Sequence, residues 1–350
     1  MVDQLTRRNG KARALPNGFG IVSDVNHLKG VYLQFLDRIP EPVRQLIRLV
    51  LRRGIREGIH SGEEPAAELD LKYYRRRVTM QKLLPATLLQ QHFHRRGAAA
   101  GIPGSRACWR DQMTAYAQAH SSVLEIGPFC SPMLKGSNVR YFDVLDSAGL
   151  AERAKRVGRK PEPPAIIHYV SPNGDLGVVT ERFEAVFSCH CIEHQPDLVK
   201  HLKQVAEILP KGGRYYLVIP DKRFCFDHFL PESGIAQVIA AHVEERATHT
   251  VESVLEHRAL ITHNDARRHW QGDHFSSGSG KDLPKKVHEA VQEYLDAAGS
   301  YIDVHAWKFT PEGFRQTMDI LFEAGFIPLS AERVYNTPRG TQEFCAILRK

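Results

Sequence analysis

The chain has 350 residues, 42% hydrophobic and 25% charged, the composition of a soluble globular protein long enough for one extended domain or two. No apolar run approaches the ~18 residues of a membrane span, the first residues lack the apolar centre of a secretory signal, and six scattered cysteines suggest no disulfide framework, so a cytoplasmic location is expected. The net charge of +7 is uneven: residues 1–120 carry 20 Lys and Arg against 10 Asp and Glu, whereas the remaining 230 carry 27 against 30.

In chain order, residues 1–26 read as a flexible tail and 27–110 as a basic helical extension. In "VRQLIRLVLRRGIREGIH", Val43, Leu46, Ile47, Val50 and Leu51 follow helical spacing, while Arg44, Arg48, Arg52 and Arg56 recur every four residues on another side. Segment 43–59 could contact an anionic membrane surface peripherally or dock on the main domain. The basic excess could also meet nucleic acid, or be a solvated helix face. A second helical pattern spans 67–95, "GAAAGIPGSRA" is a small-residue linker, and "ACWRDQMTAYAQAH" is a helix.

The main domain, 111–350, then alternates strands and helices. The strands are "SVLEIG", "VRYFDVLD" (139–146), "AIIHYV" (165–170), "FEAVFSCHC" (183–191) and "RYYLVIP" (214–220). "PDLVKHLKQVAEIL" is an amphipathic helix stopped by Gly212 and Gly213. A polar, His-rich insertion follows at about 221–304. Thr310 and Pro311 then start a helix as N-cap and first residue, and "FIPLSAERVYN" and "QEFCAILRK" close as strands. The expected fold class is α/β: a mostly parallel sheet, with a helical N-terminal extension and a helical insertion after the fifth strand.

Ligands of open parallel sheets bind at the carboxyl ends of the strands. The first turn, "GPFCSP" after Glu125 and Ile126, has one glycine and two prolines. A pyrophosphate calls for several backbone N–H groups, and proline has none. The separation of Gly127 from Asp143 is also short of the ~20 residues of the dinucleotide fingerprint. A nicotinamide dehydrogenase is therefore disfavoured. A ligand with a ribose and no phosphate fits better, its hydroxyls bonding to Asp143 at the end of the second strand.

"VLEIGP", "FDVLD" and the run "FEAVFSCHCIEHQPDLVKHLKQVAEILPKGGRYYLVIPD", in that order, resemble a class I S-adenosylmethionine-dependent methyltransferase, as does the closing "FTPEGF…LFEAGF". The resemblance covers roughly 120–222 and 305–350 and implies a Rossmann-like, seven-stranded methyltransferase fold. "VIPDKRFCFDHF" and "HNDARRHWQGDHF" are similar to a bacterial subgroup with type 11-like domains, some linked to glycan or polysaccharide biosynthesis. Carried over, the resemblance implies S-adenosylmethionine as cofactor. Glu125 and Gly127, with Pro128 of the same motif, would approach its amino-acid part. Asp143 would hold the ribose, with Asp146 as fallback. Asn173, Asp175 and Leu176 would flank the adenine, and Ser188 and His190 would line the floor. Pro172 stands where the family commonly has an acid.

Methylating a hydroxyl requires alignment and removal of its proton, for which His or Asp is the usual base. Candidates are His194, Asp221, Asp227, His228, His269, Asp273 and His274. His269 comes first because "RRHWQGDHF" combines charge, base and the flat face of Trp270, on which a sugar could stack; His194 and Asp227 follow. His194 could instead brace the following helix. Cys189, Cys191 and His194 have ligand chemistry but no paired-cysteine spacing, and adjacent strand residues face opposite ways; no metal is expected. The expected activity is O-methylation of a sugar, glycan-type or small-molecule acceptor. The alternative is a catalytically degenerate scaffold of the same fold in glycan assembly or at a membrane surface. Nucleic-acid methylation ranks last.

Overall fold

The computed structural model describes residues 65–78, 84–160, 162–275 and 282–350, which all lie in one compact unit, 59–350. The expected tail 1–26 and the basic segment 43–59 lie outside the described residues. Among the described residues, no helix is long and apolar enough to cross a membrane.

Helices α1 (Leu71–Arg75), α2 (Ala86–His92) and α3 (Arg110–Gln118) precede the sheet. Strands β1 (Val123–Ile126) and β2 (Val139–Asp143) follow, then α4 (Ser147–Arg156), β3 (Tyr169–Val170), β4 (Ala185–Cys189), α5 (Leu198–Ile208) and β5 (Arg214–Pro220). The insertion carries α6 (Ile235–Val243), α7 (Val251–Ala259), α8 (Ala266–Trp270) and α9 (Leu283–Asp296). The chain closes with α10 (Pro311–Glu323), β6 (Ser330–Val334) and β7 (Glu343–Arg349).

The seven strands form one sheet in the order β3-β2-β1-β4-β5-β7-β6. The first five are parallel, and β7 runs antiparallel to both β5 and β6. This is the expected Rossmann-like methyltransferase topology with its helical insertion. The chain progresses outward from β1 to β3, then returns to β4 on the other side of β1. The crevice at the carboxyl ends of β1 and β4 is therefore the topological switch point.

Local chemistry explains the elements. Every residue of β1 is buried, as expected for a parallel strand covered on both faces. Val123 joins one core cluster, while Leu124 and Ile126 join the other. In β5, Tyr215, Leu217 and Ile219 divide from Tyr216 and Val218 in the same alternating way. Helix α5 begins where Asp197 Oδ1 accepts the Lys200 N–H at 2.8 Å, and it buries Leu198, Leu202 and Val205 against the sheet. Thr310 caps α10, accepting from Gly313 N at 3.1 Å, with Pro311 as first helical residue.

Two expectations change. The third strand, expected over 165–170, shrinks to Tyr169–Val170; just before it, the His168 ring nitrogen takes the Tyr141 N–H of β2 at 3.2 Å. Asp146 does not end β2; its Oδ1 caps α4 through Gly149 N at 2.8 Å, which removes it as the fallback for Asp143.

Leu202 is fully buried beneath α5. Leu202→Ala is expected to lower the unfolding free energy by about 2–5 kcal/mol, read from the midpoint of urea denaturation.

Candidate active site

A cavity of about 520 Å³ opens at the switch point. Gly127 and Phe129 contribute from the turn after β1, and Asp143 and Val144 from the end of β2. His190, Cys191, Glu193 and His194 contribute from the segment after β4. Tyr301, Asp303 and His305 come from the chain leaving the insertion, with Phe226 and His257 behind them.

Two acids hold the first turn. Glu125, buried at the end of β1, accepts the N–H groups of Met133 at 2.8 Å and Leu134 at 2.9 Å on its two oxygens. Asp143 accepts Phe129 N at 3.1 Å on Oδ2 and Val144 N at 2.7 Å on Oδ1. Three of the loop's N–H groups, those of Phe129, Met133 and Leu134, are thus committed to protein carboxylates. Gly127 has φ +72°, a conformation suited to glycine, and a Cβ there would meet Cys191 Sγ at 3.3 Å. Asp143 uses two of the roughly four acceptor sites of a carboxylate, leaving capacity toward the cavity. Burial raises its pKa, partly opposed by the Phe129 and Val144 N–H groups. Arg153 and Arg159 lie 5.7 and 5.9 Å from the centre of the Phe129 ring.

The opposite wall holds a buried acid–imidazole centre. Glu193 is 0% exposed, and among the described residues neither carboxylate oxygen has a hydrogen-bond partner. Its Oε1 lies 3.8 Å from His190 Nδ1, 3.8 Å from His194 Nε2 and 3.9 Å from His305 Nε2. The other nitrogen of each ring meets a different carboxylate. His190 Nε2 is 2.8 Å from Glu343, His194 Nδ1 is 3.1 Å from Asp303, and His305 Nδ1 is 2.6 Å from Asp227. Burial pulls the His194 pKa down, but the Asp303 and Glu193 carboxylates outweigh it and hold it above its ordinary value. For Asp227, burial pushes upward and the His305 bond prevails, keeping its carboxyl low. His190 sits at φ +51°, a backbone region few non-glycine residues adopt. The Glu193 carbonyl accepts Ala306 N at 2.8 Å and Trp307 N at 3.1 Å, tying the end of the insertion to this segment.

Of the sequence candidates, Gly127, Asp143, His190 and His194 line this cavity. Glu125 and Pro128 are buried behind the turn, with Glu125 serving as its anchor. Ser188 is buried with its hydroxyl 2.8 Å from Tyr215, so it lies in the core and not on the floor. Asn173 is exposed, and Ser171 donates to its Oδ1 at 2.8 Å. The Asp175 carboxylate turns away to Gly177 N at 2.8 Å, Gln204 at 2.5 Å and Lys200 at 3.2 Å, and Leu176 belongs to the core. Only their neighbour Gly174 reaches the cavity.

His269 is also placed elsewhere. Its Nε2 is 3.0 Å from the His263 carbonyl and its Nδ1 is 3.0 Å from His274 Nδ1. Burial lowers its pKa to about 4. It is not part of the cavity wall, so it is not positioned as the base. Asp227 stands behind His305 as a positioning residue. Asp221 is fully buried between Arg223 and Thr337. Sequence reasoning missed Glu193, Asp303 and His305. Glu193 adjoins His194 in "IEHQPD", but its partner His305 is far along the chain and no spacing rule joins them.

No family model matches the chain, and no curated protein sequence matches it. Solved structures do. An S-adenosylmethionine-dependent methyltransferase from Mesorhizobium loti is 15% identical over 33% of this chain and 54% of its own, with a TM-score of 0.24. The mitomycin 7-O-methyltransferase MmcR is 9% identical over 81% of this chain and 61% of its own, with a TM-score of 0.31. The glycopeptide N-methyltransferase MtfA, solved with S-adenosylmethionine, is 18% identical over 29% and 48%, with a TM-score of 0.22. The chain spans about half the length of the first of these structures. Likenesses this distant carry no functional weight, and the cavity must be judged on its own residues.

Burial pushes the Glu125 carboxyl up from 4.5 to about 7, against the Met133 and Leu134 N–H groups. A raised pKa means that this residue's contribution to stability is complete below about pH 4.5 and is lost as the pH rises through about 7, a change of roughly 3 kcal/mol. Glu125→Gln is expected to flatten that slope and to cost about 1–3 kcal/mol for a backbone N–H left facing an amide NH2. Urea midpoints of both proteins from pH 4.5 to 7.5 check this, and parallel slopes would contradict it.

Proposed function

We propose that the chain is an S-adenosylmethionine-dependent methyltransferase that methylates a hydroxyl group of a sugar, glycan-type or other small-molecule acceptor. The observation that carries this reading is Asp143. It is a buried carboxylate with acceptor capacity to spare, at the end of β2, in a cavity at the switch point whose first turn carries two prolines and gives its Phe129, Met133 and Leu134 N–H groups to protein carboxylates. This arrangement suits a ribose without a pyrophosphate, and 520 Å³ lies in the range of small-molecule sites.

When bound, S-adenosylmethionine supplies an electrophilic methyl group. Asp143 would hold the ribose hydroxyls, Gly127 would let the backbone approach the amino-acid end, and Phe129 and Val144 would offer apolar surface to the base. O-methylation breaks the methyl C–S bond and forms a C–O bond. The electron pair leaves with sulfur, and the hydroxyl proton passes to a base. His190, also on the cavity wall, is the candidate to take that proton, with its Nε2 held 2.8 Å from the Glu343 carboxylate. Tyr301 and Phe226 give the acceptor side flat faces on which a sugar can stack. The glycan assignment rests on these faces and on the resemblance of "VIPDKRFCFDHF".

Calorimetric titration with S-adenosylmethionine and S-adenosylhomocysteine tests the cofactor assignment. Saturable binding of one equivalent is expected, weakened by about 10- to 100-fold in Asp143→Ala, the worth of hydrogen bonds to a charged group. No binding by folded protein, or undiminished binding in the variant, would contradict it. Binding without methyl transfer to any hydroxyl acceptor would favour the scaffold alternative.

A further inference from the structure

Among the described residues, two groups of side chains outside any cysteine motif bring three potential ligand atoms within 4.8 Å of one another: Glu193, His194 and His305, and His228, His269 and His274. They differ in geometry. The His228 and His274 rings stack at 3.8 Å between centroids and 11° between planes. Lone pairs lie in the ring plane, so those of stacked rings run side by side and do not meet at a point. The rings of His194 and His305 cross at 89° with centroids 4.8 Å apart, and both direct Nε2 toward the same carboxylate oxygen.

We propose that Glu193 Oε1, His194 Nε2 and His305 Nε2 bind a divalent transition-metal ion of the zinc class in the wall of the cavity. Zinc–nitrogen and zinc–oxygen bonds of about 2.0–2.2 Å place tetrahedral donors about 3.3 Å apart. The two separations from Glu193 Oε1, 3.8 and 3.9 Å, need to close by about half an ångström to reach that spacing, and the two imidazole nitrogens lie within 4.8 Å of each other. Glu193 supplies the independent sign. It is wholly buried and aimed into the cavity wall, and neither oxygen has a hydrogen-bond donor among the described residues. A buried carboxylate without hydrogen-bond donors is costly, and a cation bound to it lowers that cost.

The surroundings of the imidazoles fit the same role. A metal-ligating histidine almost always donates its second N–H to a carboxylate or carbonyl, which fixes the tautomer and ring direction. His305 Nδ1 lies 2.6 Å from Asp227 Oδ2 in a hydrogen bond, while His194 Nδ1 lies 3.1 Å from Asp303 Oδ1 as an ion-pair contact without hydrogen-bond geometry. With its proton on Nδ1, His305 carries a lone pair on Nε2. Glu193, His194 and His305 all line the cavity, so a fourth coordination position would open toward the ligand space. Three protein ligands with one open position is the form of catalytic rather than structural zinc. The set is carboxylate and imidazole, with no thiolate. The sequence expectation of no metal was drawn from Cys189 and Cys191 and did not weigh Glu193 or His305.

This inference uses the proposed methyl transfer only to say that the open position faces the acceptor, and its test omits S-adenosylmethionine, so the two can fail separately. Full-length protein is stripped with a chelator, then titrated with Co²⁺ followed by visible absorption and with Zn²⁺ followed by calorimetry. One equivalent per chain is expected, with the ligand-field bands of a nitrogen- and oxygen-bound Co²⁺. Binding should be lost in His305→Gln and Glu193→Gln and weakened about 10- to 100-fold in Asp227→Asn, which keeps all three ligands. It should be unchanged in His269→Gln. Circular dichroism identifies variants that do not fold, and Asp227→Asn decides if the ligand variants fail. The proposal is overturned if the folded stripped protein binds neither ion. It is equally overturned if binding is undiminished in Asp227→Asn, or is lost in His269→Gln while surviving in His305→Gln.

Discussion

Burying a carboxylate at the end of a parallel strand commits the surrounding chain to satisfying it. Glu125 and Asp143 end adjacent strands, paired in register through Ile126 and Phe142, and both are buried. Phe129, Met133 and Leu134 of the turn between the strands provide three of the N–H groups that satisfy their oxygens, and Val144 after β2 provides the fourth. The turn's path therefore follows from two acids rather than from a glycine series. That constraint explains how "GPFCSP", with two prolines, can close the mouth of the sheet and still leave a cavity.

The same logic acts on the other wall with a different result. Glu193 is as buried as Glu125, but among the described residues no N–H group donates to it. It receives three imidazole edges near 3.8 Å instead. Its main chain is fully used, with the carbonyl bonded to the residues after His305, so the centre is rigidly built while its charge is left open. Around it stand Asp227, Asp303 and Glu343, each engaging the far nitrogen of one imidazole. Four carboxylates and three histidines share this one small volume, where an apolar core would be simpler to stabilise.

The fold was legible in the sequence where signals are local. Apolar runs gave β1, β4 and β5. Thr310 marked a helix start through a bond made three residues later. Asp143 and Gly127 were placed by strand-end logic. Legibility failed where side chains had a nearer partner than the ligand: Asp175 turns to its own helix start and to α5, and Ser188 to Tyr215. His269, favoured for its neighbours in sequence, is stacked among His228, His263 and His274. The acceptor wall was invisible because Glu193 and His305 meet only after the insertion folds back.

The central claim is that the cavity between β1, β2 and β4 receives an adenosine-containing ligand with its ribose on Asp143. Diffraction from crystals grown with S-adenosylhomocysteine tests it most directly. The account predicts ligand density at the switch point, with both ribose hydroxyls in hydrogen-bond reach of the Asp143 carboxylate and the amino-acid end beside Gly127. Density elsewhere on the molecule, or a ribose turned away from Asp143, would contradict it.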